Sequence, residues 1–318
     1  MKKEISIAPM LDWTDNFFRS FMRQITHHSL LYTEMITEQA LVHGDKDRLL
    51  FFDDIQQPLA LQIGGNTPKI MAQLSKIAED KGFCEININA GCPSERVQSG
   101  SFGACLMKTP DIVADCVHQM KNAVTIPVSV KTRIAIDDGT DDSGYEKLHQ
   151  FVKKTSDAGA SKFIIHARKA RLKNFTPKEN RTKLSLNYPV VYQIKKDFTN
   201  LQIIINGGIK SVPDIREHLG QTDGAMIGTH AYANPYFLSE IDKEFYGDNH
   251  PILSRFDILE NLMPLIENHI QKGGKLISVG RHLMGLFYGQ PNSRLFKQAV
   301  MSNDIDTLKS FMHQFGNK

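Results

Sequence analysis

The sequence of 318 residues contains few cysteines, no long apolar run and no strong excess of either charge. Its four cysteines, Cys84, Cys92, Cys105 and Cys116, are too few to stabilise a disulfide-rich scaffold, and no two of them form a Cys-x-x-Cys zinc pair. No apolar run approaches the roughly 18 to 20 residues that span a membrane, and the first residues lack the apolar core of a signal peptide. We therefore expect a soluble, cytoplasmic protein that does not depend on disulfides.

Positive charge is concentrated in two stretches, although the net charge is only +3. Residues 166–186 contain seven basic residues against one acid, Glu179, and residues 271–303 contain basic residues and no acid. The basic residues are Arg168, Lys169, Arg171, Lys173, Lys178, Arg181 and Lys183 in the first stretch, and Lys272, Lys275, Arg281, Arg294 and Lys297 in the second. Each stretch is either a solvated face or a surface that binds a polyanion.

Short β-branched runs alternate with segments of helical periodicity up to residue 246, and this alternation predicts an α/β fold, a (β/α)8 TIM barrel. From Pro251 onward only helical periodicity remains, so we predict a barrel domain at residues 1–246 and an all-helical domain of three or four helices at 251–318. Strands are expected at Ile5–Ala8, Leu30–Glu34, Leu59–Ile63, Glu85–Asn89, Pro127–Lys131, Lys162–His166, Gln202–Asn206 and Gly224–Ile227. Helices are expected at Thr14–Thr26, around Glu38–Leu50, and at Thr67–Lys81, Asp111–Val124, Tyr145–Asp157, Tyr188–Phe198 and Ser211–Leu219, with an eighth after Ala231.

Polar or turn-forming residues end almost every predicted strand. They are Pro9, Met10, Gln62, Asn87, Asn89, Lys131, His166, Asn206 and Gly228. Each one alone has an ordinary structural explanation. The active site of a TIM barrel lies at the carboxyl ends of its strands, so their convergence on one face favours a functional site.

Two glycine-containing turns predict a phosphate site. Gly207 and Gly208 follow the seventh strand and precede Ser211, a candidate helix cap, and Gly228-Thr229 follows the eighth strand. Barrels often bind phosphate between strands seven and eight, although two ordinary turns would look the same. The chain lacks a Gly-x-Gly-x-x-Gly or Walker sequence, and no His/Asp/Glu group has metal-ligand spacing, so we expect no metal. A flavin mononucleotide fits best, because Gln62 could contact the ring edge and Lys131 could stabilise an anionic ring.

Cys92 is the clearest candidate for acid chemistry. It follows the fourth strand in the sequence Gly91-Cys92-Pro93 and should face the same mouth as Lys131 and His166. A thiol of ordinary pKa, about 8.5, is mostly protonated at neutral pH and can act as a general acid. The other three cysteines are expected to be structural.

Several motifs together resemble the tRNA-dihydrouridine synthase family. They are Ala8-Pro9-Met10-Leu11-Asp12-Trp13-Thr14-Asp15, Leu31-Tyr32-Thr33-Glu34-Met35, Glu85-Ile86-Asn87-Ile88-Asn89-Ala90-Gly91-Cys92-Pro93-Ser94, Gly103-Ala104-Cys105-Leu106-Met107, Val130-Lys131-Thr132-Arg133 and Ile165-His166-Ala167-Arg168-Lys169-Ala170. The runs from Thr176 to Arg181 and from Asn206 to Ile209 resemble the bacterial A branch. The resemblance implies an enzyme that uses FMN and NADPH to reduce the C5–C6 bond of uridine at D-loop positions 20 and 20a of tRNA. Hydride would reach C6, and Cys92 would protonate C5.

The resemblance also assigns residues to roles. The positions that match FMN contacts are Pro9, Met10, Leu11, Gln62, Lys131, His166, Asn206, Gly207, Gly208, Gly228 and Thr229. Those that match tRNA contacts are Asn89, beside the target base, and Lys178, Arg181, Arg294 and Lys297. Thr229 departs from the arginine common in the family, and this difference predicts looser retention of the flavin. Lys297 also departs, since the A branch tends to have arginine there.

Two other functions agree with parts of the sequence. A small-molecule flavin enzyme of the dihydroorotate dehydrogenase type would share the barrel and the strand-five lysine, but it has no use for two basic stretches. A flavin-free RNA-binding module would use those stretches, but it would not need Gln62, Lys131, His166, Asn206 and Cys92 together.

Overall fold

The computed structural model describes residues 3–137, 139 and 142–316. Eight parallel strands form one sheet, and three of them, at Lys162–His166, Gln202–Asn206 and Gly224–Ile227, have the predicted bounds. The strands are β1 (Glu4–Ile7), β2 (Leu31–Thr37), β3 (Leu59–Gly64), β4 (Glu85–Ala90), β5 (Val128–Arg133), β6 (Lys162–His166), β7 (Gln202–Asn206) and β8 (Gly224–Ile227). The prediction of a (β/α)8 barrel is confirmed.

The sheet closes on itself, because β1 pairs with β8 on one side and contacts β2 on the other. Adjacent strands follow the chain order from β2 to β8. The amide of Ile7 donates to the carbonyl of Leu30 at 2.9 Å, which joins β1 to the start of β2. The register pairs Asn89 with Lys131 and His166 with Asn206, so polar residues of neighbouring strands lie side by side at the carboxyl end.

Helices cover the outside of the barrel and make up the C-terminal region. They are α1 (Asn16–Arg23), α2 (Glu38–His43), α3 (Lys46–Leu49), α4 (Pro68–Asp80), α5 (Glu95–Ser99), α6 (Pro110–Ala123), α7 (Tyr145–Asp157), α8 (Pro177–Thr182), α9 (Tyr188–Asp197), α10 (Val212–Leu219), α11 (Thr229–Ala233), α12 (Arg255–Gln271), α13 (Leu276–Gly280), α14 (Ser293–Met301) and α15 (Ile305–Gly316). Short 3-10 turns occupy Asp54–Gln56, Gly103–Lys108, Pro235–Glu240 and Arg281–Leu283, and a π-helical turn occupies Asp242–Tyr246.

The segment predicted as one helix around Glu38–Leu50 is two helices. Asp45 has extended backbone angles, and its carboxylate accepts a hydrogen bond from the amide of Arg48 at 3.1 Å. A side chain that caps a helix N-terminus starts a new helix, so α3 begins after Asp45 rather than continuing α2.

The apolar core lies in two places. One cluster fills the barrel interior and includes Tyr32, Ile164, Ile204 and Met226, whereas a larger cluster lies between the strands and the surrounding helices. The lower part of the barrel also holds the buried ammonium of Lys162, which contacts carboxylates on β1 and β4 at 2.7 Å each. Burial of the ions is tolerated because they are paired.

The C-terminal helices contain their own aromatic cluster and also contact the barrel. The rings of Phe287 and Phe296 lie 4.6 Å apart between centroids, and Phe311 packs against both. His282, which is fully buried, contacts the Asp15 carboxylate at the start of α1 at 2.9 Å. Of the helices in the described ranges, none is long and apolar enough to cross a membrane. The division at 246 and 251 stays a prediction, and its outer limits, residues 1–2 and 317–318, lie outside the described residues.

Candidate active site

A cavity of about 440 Å³ opens at the carboxyl ends of the barrel strands. Every residue predicted to contact the flavin lines it: Pro9, Met10, Leu11, Gln62, Lys131, His166, Asn206, Gly207, Gly208, Gly228 and Thr229. Cys92, Asn89 and Arg181 line the same cavity. The structure therefore brings together residues from most of the strands, as the barrel geometry predicts.

The turn after β7 requires glycine at two consecutive positions. Gly207 and Gly208 have φ angles of +117° and +78°, which L side chains rarely adopt. A Cβ at Gly207 would lie 2.8 Å from the His166 ring, and one at Gly208 would lie 2.5 Å from the Tyr188 hydroxyl. Within the described part of the chain, the amides of Gly208, Ile209 and Thr229 have no hydrogen-bond acceptor. They form a set of donors suited to a phosphate.

Ser211 caps α10, as predicted, and its hydroxyl accepts a hydrogen bond from the amide of Asp214 at 3.2 Å. The Asp214 carboxylate in turn accepts from the amide of Lys210 at 2.8 Å. These two amides are thus already bonded, and the donors left for a phosphate belong to the glycine turn and to the start of α11.

The side-chain amine of Lys131 lies at the cavity and has a lowered pKa. Its ammonium donates to the side-chain oxygen of Asn206 at 3.1 Å, and Asn206 is itself fixed by donation to the carbonyl of Met226 at 2.8 Å. Burial, followed by repulsion from Arg133, lowers the pKa of Lys131 to about 7, while Cys92 acts in the opposite direction. An anionic ligand at this point would be strongly favoured, because it would compensate the buried charge.

His166 lines the cavity beside Gly207. Burial, and then the positive charges of Arg133 and Lys131, lower the pKa of His166 well below its usual value. The imidazole is therefore neutral at physiological pH and offers one hydrogen-bond donor and one acceptor.

A chain of amides fixes the floor of the cavity. The amide nitrogen of Asn89 donates to Gln62 at 2.8 Å, and Gln62 donates to Asn87 at 2.7 Å. Asn87 continues the chain into the barrel by donating to Ser129 at 2.7 Å. Because each amide is held by its neighbours, the polar edge of Gln62 has a defined orientation toward the cavity.

The loop that carries Cys92 is held from both sides. Asn89 accepts hydrogen bonds from the amides of Gly91 and Cys92 at 3.1 and 3.0 Å, and the amide of Ala104 donates to the carbonyl of Cys92 at 2.9 Å. The Cys92 thiol lies 3.5 Å from the hydroxyl of Ser94. A proton donor on this loop has a fixed position, which general acid catalysis requires.

Two of the other thiols, those of Cys84 and Cys116, have raised pKa values. All four cysteines are free. Burial raises the pKa of Cys84 to about 11 and that of Cys116 to about 12. These thiols stay protonated at neutral pH, which agrees with the structural role predicted for them.

The cavity has a rim of arginines that the sequence prediction did not include among the site residues. Arg133 donates to the carbonyl of Gly91 at 2.9 Å and so supports the Cys92 loop. Arg168 lines the cavity, and its buried Nε has no acceptor among the described residues. The signal in the sequence is weak: Arg133 comes two positions after Lys131, and Arg168 two positions after His166, so period-two alternation points them to the same side only where the extended register is known.

The four predicted tRNA-contact residues outside the floor occupy two regions. Arg181 lines the cavity, and Lys178 is exposed one turn earlier on α8, whereas Arg294 and Lys297 are exposed on α14. Their neighbours Arg171 and Lys183 are paired with Asp137 and Glu179 at 2.6 Å each.

A series of aromatic contacts connects the rim of the cavity, through Tyr232 of α11, to the C-terminal helices. Trp13, which lines the cavity, stacks on Tyr232 with ring centroids 4.4 Å apart. The hydroxyl of Tyr232 lies 3.2 Å from His282, which contacts Asp15. Trp13 thus links the site to the helical region.

Comparisons with known proteins identify the family. A family model described as dihydrouridine synthase matches residues 6–313. A protein from Synechocystis named tRNA-dihydrouridine(20/20a) synthase is 48% identical over 95% of this chain and 89% of its own length. Proteins of the same name from Vibrio parahaemolyticus and Pseudomonas aeruginosa are each 48% identical, over 94% and 96% of this chain and 91% of their own lengths.

Solved structures support the fold. A morphinone reductase variant in complex with tetrahydroNAD has a TM-score of 0.51 at 11% identity and covers 74% of this chain and 85% of its own. The old yellow enzyme from Trypanosoma cruzi has a TM-score of 0.52 at 12% identity and covers 79% and 89%. At such low identity the similarity concerns the barrel alone.

Proposed function

The chain belongs to the dihydrouridine synthase family, and we propose that it reduces the C5–C6 double bond of uridine in the D loop of tRNA, at positions 20 and 20a. The observation that carries this proposal is the meeting of Cys92, Lys131 and the Gly207-Gly208 turn in one cavity with arginines on its rim. The first three groups suit a flavin reduction, and the arginines suit a nucleic acid. A tRNA substrate also agrees with the cytoplasmic location expected from the sequence.

FMN fits the residues of the cavity. The amides of Gly208, Ile209 and Thr229 would bind its phosphate, since these residues line the cavity and their amides have no acceptor among the described residues. Lys131 and Gln62 would bind the polar edge of its ring. When bound, FMN supplies the hydride-transfer chemistry that no amino-acid side chain offers.

Lys131 would compensate negative charge at the ring edge. With its pKa lowered to about 7, the amine gains a proton readily when an anion binds beside it. Asn206 keeps the amine in place through the 3.1 Å hydrogen bond. The neutral imidazole of His166 would add a hydrogen bond without further charge.

Cys92 would donate the proton to C5 of the uracil. Its loop is fixed by Asn89 and by the contact of Arg133 with Gly91, so the thiol does not need to reorganise during the reaction. The side chain of Asn89 is bonded to Gln62 and to the Cys92 loop, so it would place the base indirectly, by holding both its neighbours.

The rim would hold the RNA around an extruded uridine. A base inside a folded tRNA must leave its stack before it can enter a pocket, and contacts to the flanking phosphates offset part of that cost. Arg168 and Arg181 stand at the cavity, with Lys178 beside them, and Arg294 and Lys297 extend the basic surface onto the C-terminal helices.

We propose NADPH as the source of electrons. NADPH and tRNA would both reach the flavin through the same cavity, so NADPH would enter and leave before the tRNA binds. A ping-pong pattern in steady-state kinetics is the expected result, and intersecting lines at varied NADPH and tRNA would contradict it.

The function is tested by incubating the protein, supplied with FMN and NADPH, with tRNA that lacks dihydrouridine. We expect dihydrouridine to form at positions 20 and 20a, detected by mass spectrometry of nuclease fragments. Orotate and fumarate serve as controls for a small-molecule flavin enzyme. Turnover of a control in place of tRNA, or tRNA binding by a protein that takes up no flavin, would contradict the proposal.

A further inference from the structure

Two histidines and an aspartate come together at the end of the barrel opposite the cavity. His27 precedes β2, whereas Asp248 and His250 lie between the π-helical turn and α12. One ligand atom from each of the three residues lies within 4.8 Å of the others. The spacing along the chain predicts no metal, because these residues come from distant parts of the sequence and only the fold joins them.

We propose that His27, Asp248 and His250 bind a divalent transition metal ion of the zinc class. Two imidazole nitrogens and one carboxylate oxygen are ligands that zinc takes readily, with water in the fourth position. The ion would fasten the N-terminal end of the barrel to the segment that leads into the C-terminal helices. This site is separate from the cavity and does not depend on the proposed tRNA chemistry.

Neighbouring groups already hold the ligands in place. The buried carboxylate of Asp242 accepts hydrogen bonds from the hydroxyl of Thr26 at 2.7 Å and from the amide of His28 at 3.4 Å, and also from the amide of His27. His28 contacts the Asp248 carboxylate at 2.7 Å. Such outer partners orient metal ligands and raise their basicity, and their loss commonly weakens binding about 10- to 100-fold.

The two histidine rings are in direct contact. The rings of His27 and His250 stack with centroids 4.0 Å apart and planes 20° from parallel, so one ring must rotate before both nitrogens point at the same ion. Nδ1 of His250 is buried and, within the described residues, makes no hydrogen bond, although it lies 3.2 Å from a carboxylate oxygen of Asp248. A cation beside this nitrogen would give it a partner.

The local charge favours a cation. Asp242 and Asp248 act on His27 together with one guanidinium, that of Arg23, so the group carries one net negative charge when its histidines are neutral. Both rings also line a cleft of about 230 Å³, which gives an ion a path from solvent.

Zinc binding to the full chain, freed of metal by a chelator and dialysed, tests the proposal. We expect one Zn²⁺ per chain in equilibrium dialysis and a rise in Tm with Zn²⁺ but not with Mg²⁺, which prefers oxygen ligands. His27→Gln and His250→Gln should each weaken the affinity by more than about 100-fold, beyond the loss of an outer partner. His313→Ala, which removes an exposed histidine on α15, should leave the affinity unchanged.

Two further measurements keep the result interpretable. Co²⁺ bound at this site should absorb in the visible range without a thiolate-to-cobalt charge-transfer band. Unfolding curves in the absence of metal show whether each glutamine variant keeps the fold. Absence of stoichiometric zinc, zinc binding by both glutamine variants as tight as that of the unsubstituted protein, or a thiolate band that disappears in Cys92→Ser would overturn the proposal.

Discussion

The side-chain oxygen of Asn89 accepts a hydrogen bond from the main-chain amide of Cys92 at 3.0 Å. Asn89 is the penultimate residue of β4, and its side-chain nitrogen donates to Gln62 at 2.8 Å. One side chain therefore connects the proposed proton donor to the proposed flavin-binding floor. Because both contacts fix the same amide, the Cys92 thiol and the edge of a flavin ring bound at Gln62 would keep a constant separation during turnover.

We expect Cys92→Ala to lose about 100- to 10 000-fold in tRNA reduction, the usual contribution of a positioned general acid. The variant should still bind FMN and oxidise NADPH, because no flavin contact is removed. Single-turnover formation of dihydrouridine measures the loss. Cys105→Ala is the matched control, since it removes a partly buried thiol from the neighbouring 3-10 turn and should retain near-normal turnover. Equal activity of the two variants would remove Cys92 as the acid.

The buried amine of Lys131 should make the flavin-free protein less stable at neutral pH. Its folded pKa of about 7 lies below the ordinary lysine value of 10.5, so the folded state disfavours the proton. The stability cost is fully present below pH 7 and disappears as the pH rises toward 10.5. We therefore expect Lys131→Met to raise the free energy of unfolding most at pH 7 and below, with a gain that shrinks at higher pH. Lys153→Met, on an exposed lysine of α7, should show no such trend in urea unfolding.

Thr229→Arg should slow the release of FMN. Thr229 is exposed at the start of α11, where it offers one hydroxyl, whereas arginine would add a charge-assisted hydrogen bond to a phosphate. Such a bond contributes roughly 1.5 to 3 kcal/mol, so the dissociation rate should fall about tenfold or more. Flavin fluorescence on dilution follows release. Thr229→Ala is the control, and identical rates for all three proteins would refute this account of position 229.

Lys178→Ala combined with Arg181→Ala should weaken tRNA binding and reduce its dependence on salt. Two lost phosphate contacts lower the slope of log K against log salt by about 1.4 to 1.8. NADPH oxidation should be unchanged, because neither residue was assigned to the flavin. The double variant Lys153→Ala with Lys154→Ala removes the same charge from α7, where both lysines are paired with aspartates. If the two double variants gave the same slope, residues 178–181 would be only a solvated face.

The sequence predicted the barrel well because each strand is a short apolar run that ends in polar residues. The bounds of β6, β7 and β8 agree to the residue, and the cavity contains every predicted flavin contact. The prediction of a single helix around Glu38–Leu50 was wrong. The side chain of Asp45 caps a second helix, and periodicity does not reveal such a start.

Contacts between distant segments could not be predicted from the sequence. The contact of His282 with Asp15 and the meeting of His27 with His250 both depend on how the C-terminal segments return to the barrel. No local pattern encodes that return. The roles of Arg133 and Arg168 were accessible in principle from their alternation with Lys131 and His166, but this needed confidence in strand register that the sequence alone does not provide.

The central claim, that this flavin site acts on tRNA, is tested most directly by reoxidation of the reduced protein. The FMN-loaded protein is reduced without oxygen and mixed with tRNA lacking dihydrouridine, with tRNA already modified at positions 20 and 20a, or with orotate. We expect rapid return of the oxidised flavin absorbance with unmodified tRNA alone. Equal reoxidation by the already modified tRNA, or rapid reoxidation by orotate and none by tRNA, would contradict it.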